Sequence, residues 1–410
     1  MTETSTDHDH ATEGAGTQRG ALAGVRVLDL SRFIAGPLCA QLLGDMGAEV
    51  IKVERPSGED ARGMEPMVGG ESLYVMSYSR NKRGITLDTR HPEAQEILER
   101  LVASSDVLVE NYRPGTLAKM GLGPVRLTEL NPALVVTSLS GFGQTGPMRD
   151  RALFDPIAQA LSGLMSLTGG ADDPPTLAGA FVADYLTGVY GALGTLTALY
   201  ARRETGRGQV VDVGSLDVLF AALGMAPSAY LNNGVLPVRT GSRDKLSGPA
   251  NVFQTRDGWI YLHAGTNPLF GRLCAMIGRP ELRSGPWATV AGRMADIDAV
   301  EQVVAAWMAE QDNARASAQL EAAGVPFGQV LSVPEVVALP QLLERDMIVD
   351  TPHRTAGTVK LPGIPVKLSD TPGRVRRGAP DLGEHNAEVY GELLGLSAAD
   401  LERLAANGVI

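Results

Sequence analysis

The stretch GVRVLDLSRFIAGPLCAQLLGDMGAEVIKVE occupies residues 24–54 and decides how the chain is read. Its first seven residues form a β-rich run. Residues 36–48 (GPLCAQLLGDMGA) place apolar side chains at helical spacing and end in glycine. Residues 49–54 (EVIKVE) are β-rich again. Strand, helix and strand in so short a span predict a parallel pair joined by a crossover helix. Outward from it the alternation continues. Residues 91–105 read as a helix with Ile97, Leu98, Leu101 and Val102 on one face, followed by strands at 106–112 and 133–141. A long helix is expected from Tyr185 to Arg203, because Leu186, Val189, Tyr190, Leu193, Leu196 and Tyr200 recur at steps of three and four. Residues 210–214 (VVDVG) form a further strand.

These elements predict an α/β fold with a Rossmann-like large domain over residues 21–215. Residues 216–231 read as helical within a connector spanning 216–240. A smaller α+β domain is expected at 241–330: two strands within 251–265 turning at Arg256-Asp257-Gly258, then helices at 267–278 and 298–324. Residues 331–380 read as a linker, with its Pro- and Gly-rich part (350–380) wrapping over the protein. Residues 381–410 are helical and return to the large domain. Residues 1–20 are polar and read as a disordered tail, so His8 and His10 offer no preorganised metal geometry.

Composition narrows the function. The 410 residues are 44% apolar and 20% charged, which is globular, and the chain carries a net charge of −11 without a basic tract, which disfavours nucleic acid. No apolar run approaches the length of a membrane span, and nothing at the N-terminus resembles an apolar signal core. Only Cys39 and Cys274 are present, so neither a disulfide framework nor a cysteine metal cluster is expected, and a cytoplasmic setting is the default. The first βα turn, tested as a dinucleotide site, has Glu54 18 residues after Gly36 but lacks the G-x-G-x-x-G glycines. There is no nucleophile elbow, phosphate loop or zinc motif, and His91, His263, His353 and His385 are scattered. That leaves a carboxylate, a hydroxyl or a backbone site, and one carboxylate stands out. Asp184 directly precedes the long apolar helix. As an N-cap it would serve structure alone. The same place suits a nucleophile, because helix N-terminal N–H groups stabilise the anion and Ala178, Gly179, Ala180 and Ala183 leave room for a ligand.

Nine segments in order carry a family resemblance: GVRVLDLSRFIAGP, GAEVIKVERPSGED, NKRGITLD, DVLVENYRPG, LNPALVVTSLSGFGQTGP, ADYLTG, ETGRGQVVDVG, TPG and LGEH. From about Leu22 to Ile410 the chain resembles the class III CoA-transferases of the CaiB/BaiF type, which include formyl-CoA and carnitine CoA-transferases. The resemblance implies that Asp184 attacks an acyl-CoA thioester, passes through an aspartyl anhydride and an aspartyl–CoA thioester, and hands CoA to a carboxylic acid. Coenzyme A then enters as co-substrate, with no metal. The resemblance places Arg55, Arg90 and Lys119 at phosphate-contacting positions, and Ile34, Ala35, Leu87, Asn111, Tyr112, Arg113, Ser140, Gly141, Phe142 and Gly143 in CoA-contacting stretches. It further implies a large domain built from both termini and an interlocked, ring-like homodimer. Ile34 and Phe142 stand where the oxalate-handling branch has Gln and Tyr, and that branch's glycine-run loop is not recognisable in 232–262. Tyr74 still matches a pocket tyrosine. A larger or more apolar acyl group than oxalate is therefore expected. Two alternatives stay open: an α-methylacyl-CoA racemase, disfavoured because Phe154 before Asp155 stands where that group has a proton-transferring His, and a CoA-binding protein without turnover.

Overall fold

A computed structural model describes residues 19–410. The expected tail and its two histidines lie outside the described residues up to residue 18. Six strands form a parallel sheet: β1 (Arg26–Asp29), β2 (Glu49–Glu54), β3 (Lys82–Thr86), β4 (Val107–Glu110), β5 (Val135–Ser140) and β6 (Val210–Gly214). Their spatial order is 3-2-1-4-5-6, the doubly wound order of dinucleotide-binding folds. The chain reverses direction across the sheet between β1 and β4, so the loops leaving those two strands part and open a crevice at the carboxyl ends.

The helices used below are α1 (Ala35–Asp45), α2 (Leu73–Ser79), α3 (Ala94–Ala103), α4 (Val182–Thr205), α5 (Asn386–Leu394) and α6 (Ala398–Ala406). One face of the sheet packs Val27, Val107, Val135 and Leu139 against Cys39 and Leu43 of α1 and Ala192, Ala198 and Leu199 of α4. The other face packs Leu28, Ile51, Ile85 and Leu108 against α3 and against Val389, Tyr390 and Leu404 of the last two helices. Ile97, Leu98, Leu101 and Val102 are all buried there, as their spacing implies. The C-terminus is fastened by hydrogen bonds: Tyr390 donates its hydroxyl to the Thr86 carbonyl at 2.6 Å, and His385 N–H donates to the Gly84 carbonyl at 2.9 Å.

Residues up to 152, 184–215 and 346–410 cluster as one compact unit; residues 153–183 and 216–345 cluster as another. Residues 153–183, grouped by sequence with the large domain, thus fall in the second unit, and 346–380 fall in the first. The second unit contains a three-stranded antiparallel sheet of Ala250–Gln254, Trp259–His263 and Phe327–Gln329. Helices Asn267–Met276, Ile297–Ala309 and Asn313–Ala323 complete its core through Leu273, Val304, Met308 and Leu320.

Three local expectations are corrected, and one strand had no sequence signal. The 216–231 helix is two, Ser215–Ala222 and Met225–Asn233, because Gly224 between them adopts φ +62°. The 298–324 helix is also two, the second capped by Asp312, whose carboxylate accepts from Arg315 N–H at 2.8 Å. The Pro- and Gly-rich stretch contains a hairpin, Ile348–His353 with Gly357–Pro362, paired Thr351 to Val359. Strand β3 escaped notice because its KRGIT sequence has no apolar alternation. Lys82 and Arg83 are buried there by ion pairing instead.

Helix α4 inverts the usual pattern. Its sheet-facing side carries small residues: a Cβ on Gly188 would sit 2.8 Å from the Ala35 carbonyl oxygen, and one on Gly191 2.7 Å from Leu139. The large apolar positions that marked it as a helix (Val189, Tyr190, Leu193, Leu196 and Tyr200) point outward, with Leu193 58% and Tyr200 72% exposed. Periodicity finds such a stripe but not which way it faces. The close approach of α4 to the sheet leaves no volume for it inward.

Candidate active site

Four strand ends of the first unit open into a cavity of about 710 Å³, bordered by Leu30 after β1, Glu54 and Arg55 at the end of β2, Leu87 after β3 and Tyr112 after β4. In an open parallel sheet this is where ligands bind. Of the residues singled out from sequence, Arg55, Leu87, Arg90, Tyr112 and Lys119 come together here. Two of the cavity's three acids are matched by cations: Arg62 holds Glu54 through two bonds of 2.6 and 2.7 Å, and Lys52 lies 3.1 Å from Glu59, while Asp88 accepts from the Arg90 N–H at 3.1 Å. Arg90 and Lys119 carry no ion pair among the described residues, and Arg55 shares the exposed Asp60 with Arg32. The surplus is cationic, so the cavity suits an anionic, phosphate-bearing ligand.

The other singled-out positions fall elsewhere. Arg113 borders a separate cavity of about 380 Å³, together with Leu117, Leu127 and Arg207. Asn111 is a strut: its side chain accepts from Arg32 N–H at 2.8 Å and donates to the Arg32 carbonyl at 2.7 Å, tying the two diverging loops across the crevice. Ile34 and Ala35 are buried at the start of α1. Ser140, Gly141, Phe142 and Gly143 continue from β5 and do not border the first cavity. Phe142 is buried with the Arg151 guanidinium 5.9 Å from its ring centre, and Gly143 adopts φ +77°, which favours glycine. Arg32, which lines the first cavity, was missed. Its sequence signal is a cation two residues after Leu30 in the first βα turn.

Asp184 is not the N-cap. Helix α4 begins at Val182, so Asp184 lies within its first turn, half-buried. A carboxylate there is stabilised by the positive end of the helix dipole. Two phenols share its surroundings. Burial, then the Asp184 charge, pushes the Tyr74 hydroxyl well above the usual tyrosine range; burial, Tyr185 and Asp184 do the same for Tyr78. Both therefore stay protonated at neutral pH and can donate hydrogen bonds. Tyr74 and Tyr78 project from α2 with ring centres 5.7 Å apart, edge to face. In the second unit, Asp155 is buried and accepts from Ala183 N–H at 2.7 Å and from Gln159 Nε2 at 2.6 Å. Phe154 beside it is exposed and carries no proton-transferring group.

Among the described residues, the ligand atoms of Glu71, His353 and Asp381 lie within 4.8 Å of one another, close enough to be considered as a metal-ligand set. His353 Nδ1 accepts from the N–H groups of Thr355 and Ala356 at 3.2 and 3.1 Å. These bonds assign the ring proton to Nε2, which faces Asp381 at 3.7 Å. A metal at Nε2 needs the proton on Nδ1, where two N–H groups already point, which argues against a metal here; at 3.7 Å the ring does not hydrogen-bond Asp381 either, and the buried Asp381 Oδ1 has no hydrogen-bond partner.

Residues 22–386 match the CoA-transferase family III profile. The chain is 39% identical over 395 residues to the succinyl-CoA–D-citramalate CoA-transferase of Chloroflexus aurantiacus, covering 94% of this chain and 97% of the relative. It is 36% identical over 392 residues to the mouse (Mus musculus) succinyl-CoA:glutarate CoA-transferase, covering 95% and 90%. A crystal structure of a CaiB/BaiF family protein from Brucella suis superposes with a TM-score of 0.83 at 35% identity, covering 92% of this chain and all of that one. The chain belongs to CoA-transferase family III. It is an enzyme of the CoA-transferase class, and its α/β fold with a parallel central sheet is that family's. No helix among the described residues is long and apolar enough to cross a membrane.

Proposed function

We propose that the chain transfers CoA from succinyl-CoA to a short dicarboxylic acid, with Asp184 as the covalent nucleophile. The observation that carries the reading is Asp184 in the first turn of α4, its charge felt by two half-buried, protonated phenols. The two relatives named above take CoA from succinyl-CoA and give it to a five-carbon diacid, which supports the substrate class. An Asp184 oxygen attacks the thioester carbonyl, the C–S bond breaks, and a mixed anhydride forms with CoA thiolate as leaving group. The thiolate attacks the aspartyl carbonyl and releases succinate, leaving an aspartyl–CoA thioester. The acceptor carboxylate attacks that thioester to form a second anhydride and free the thiolate again. The thiolate then takes the acyl group and restores Asp184. Tyr74 and Tyr78 donate hydrogen bonds to the oxygen that becomes anionic. The cationic cavity at the ends of β1–β4 holds the nucleotide end of CoA through Arg32, Arg55, Arg90 and Lys119. The outward apolar stripe of α4 is the contact surface of a homodimer.

Hydroxylamine tests the reading. Incubation with succinyl-CoA and hydroxylamine converts an activated Asp184 to a hydroxamate, adding roughly 15 Da at that residue by peptide mass spectrometry. Asp184→Ala is expected to lower transfer by at least roughly 10³-fold while CoA still binds. Transfer at the wild-type rate by Asp184→Ala refutes it. The racemase alternative has no support in the named relatives, and Phe154 supplies no base.

A further inference from the structure

Two buried ion pairs lie outside the chemistry just described. Lys82 Nζ is 2.9 Å from Asp29 Oδ2, both fully buried, and Lys52 Nζ is 3.1 Å from Glu59 Oε1, also buried. Burying four ionised groups is expensive, and such pairs commonly add little stability over apolar residues of the same size. Their placement indicates what they do instead. Both converge on the turn from Ser31 to Pro37. Lys82 also donates to the Pro37 carbonyl at 2.8 Å, and Asp29 Oδ1 accepts from the Ser31 N–H at 2.9 Å and from its hydroxyl. Lys52 donates to the Ser31 carbonyl, and Glu59 Oε2 accepts from the Phe33 N–H at 3.1 Å. Between these anchors Phe33 adopts φ +65°, a left-handed conformation that a bulky residue holds only when its surroundings fix it.

The turn touches both halves of the reaction. Arg32 within it and Lys52 beneath it border the cationic cavity. It then enters α1, where the Ala35 carbonyl and Leu38 abut α4 at Gly188, one helical turn beyond Asp184. We propose that Asp29, Lys82, Lys52 and Glu59 are positioning residues whose paired charges lock the Ser31–Pro37 turn and so fix the bound acyl-CoA relative to Asp184. This rests on Asp184 reacting with the acyl-CoA. None of the four touches the reacting atoms.

Charge-neutral double variants test it, since removing one partner alone strands a buried charge. In Asp29→Asn/Lys82→Met the amide oxygen still accepts from Ser31, and in Lys52→Met/Glu59→Gln it still accepts from Phe33. Each is compared with wild type for single-turnover acylation of Asp184 at saturating succinyl-CoA, read as hydroxamate, for equilibrium CoA binding and for thermal unfolding. The expected result is acylation slowed by about tenfold or more, as misplacement of reacting groups does, with cooperative unfolding retained and, in Asp29→Asn/Lys82→Met, whose residues do not border the cavity, CoA affinity within about threefold. Acylation at the wild-type rate per folded molecule overturns the inference, whatever the unfolding temperature. Should one double variant fail to fold, the other gives the same readout. Absence of any Asp184 hydroxamate in the wild-type enzyme overturns the parent reading together with the inference, whereas its presence in wild type and undiminished in the variants overturns the inference alone.

Discussion

Gly188→Ala probes a tight backbone junction near the nucleophile. The added Cβ would lie 2.8 Å from the Ala35 carbonyl oxygen and 3.0–3.1 Å from Leu38 atoms. The oxygen is backbone at the start of α1 and cannot rotate away, so α4 must move by about half an ångström to reach ordinary contact. Alanine is intrinsically about 1 kcal/mol better than glycine in a helix interior. Overpacking typically costs about 1–3 kcal/mol. The net change therefore lies between about zero and 2 kcal/mol of lost stability, which moves the unfolding midpoint by no more than about 8 °C. The catalytic effect is expected to be larger. Asp184 is one turn away on the same helix, and a misplacement of about 1 Å can cost about 100-fold, so half of that corresponds to about tenfold in kcat. Gly191→Ala is the control. It adds the same volume to the same face, but meets the ends of the Leu139 and Cys39 side chains, which can adjust. Steady-state transfer assays with succinyl-CoA should show kcat lowered about tenfold for Gly188→Ala and within about twofold of wild type for Gly191→Ala. Wild-type kcat in Gly188→Ala, or equal losses in both, refutes the argument that this contact sets the nucleophile's place.

Two further outcomes are expected. Leu193→Glu, at an outward position of the α4 stripe, should convert a dimer to monomers in light scattering without lowering the unfolding midpoint of the monomer; an unchanged dimer removes the stripe as the subunit contact. Burial raises the Glu54 carboxyl, but the two Arg62 bonds with the Arg62 and Lys52 charges outweigh it and hold Glu54 below its ordinary value near 4.5. The pair thus contributes stability that is present above about pH 4.5 and lost as pH falls through the folded-state value. Arg62→Met should be most destabilising near neutrality, with the urea-midpoint difference from wild type narrowing toward pH 3; a difference independent of pH contradicts this assignment.

The sequence by itself determined the elements whose signal is local. The alternation in residues 24–54 became β1, α1 and β2, and the buried face of α3 is the one its spacing named. Arg55, Arg90 and Lys119 share a cavity because each follows the carboxyl end of a strand of one parallel sheet, although the strand before Arg90 was not legible in the sequence. Asp184 was legible as the acid before the long helix, although one-residue accuracy at a helix start is not local information, and its place in the first turn was not. Only the tertiary structure decided the rest. Strand β3 is charged where a buried strand should be apolar, because Lys82 meets Asp29 across 53 residues of chain. The α4 stripe faces outward because glycines on the opposite side let the helix settle onto the sheet. Arg113 left the group of cations around the first cavity because the loop after β4 turns it toward another. Periodicity and capping are written in neighbouring residues. The partner of a buried charge, the side of a helix that finds room, and the direction of a loop depend on atoms that only folding brings together.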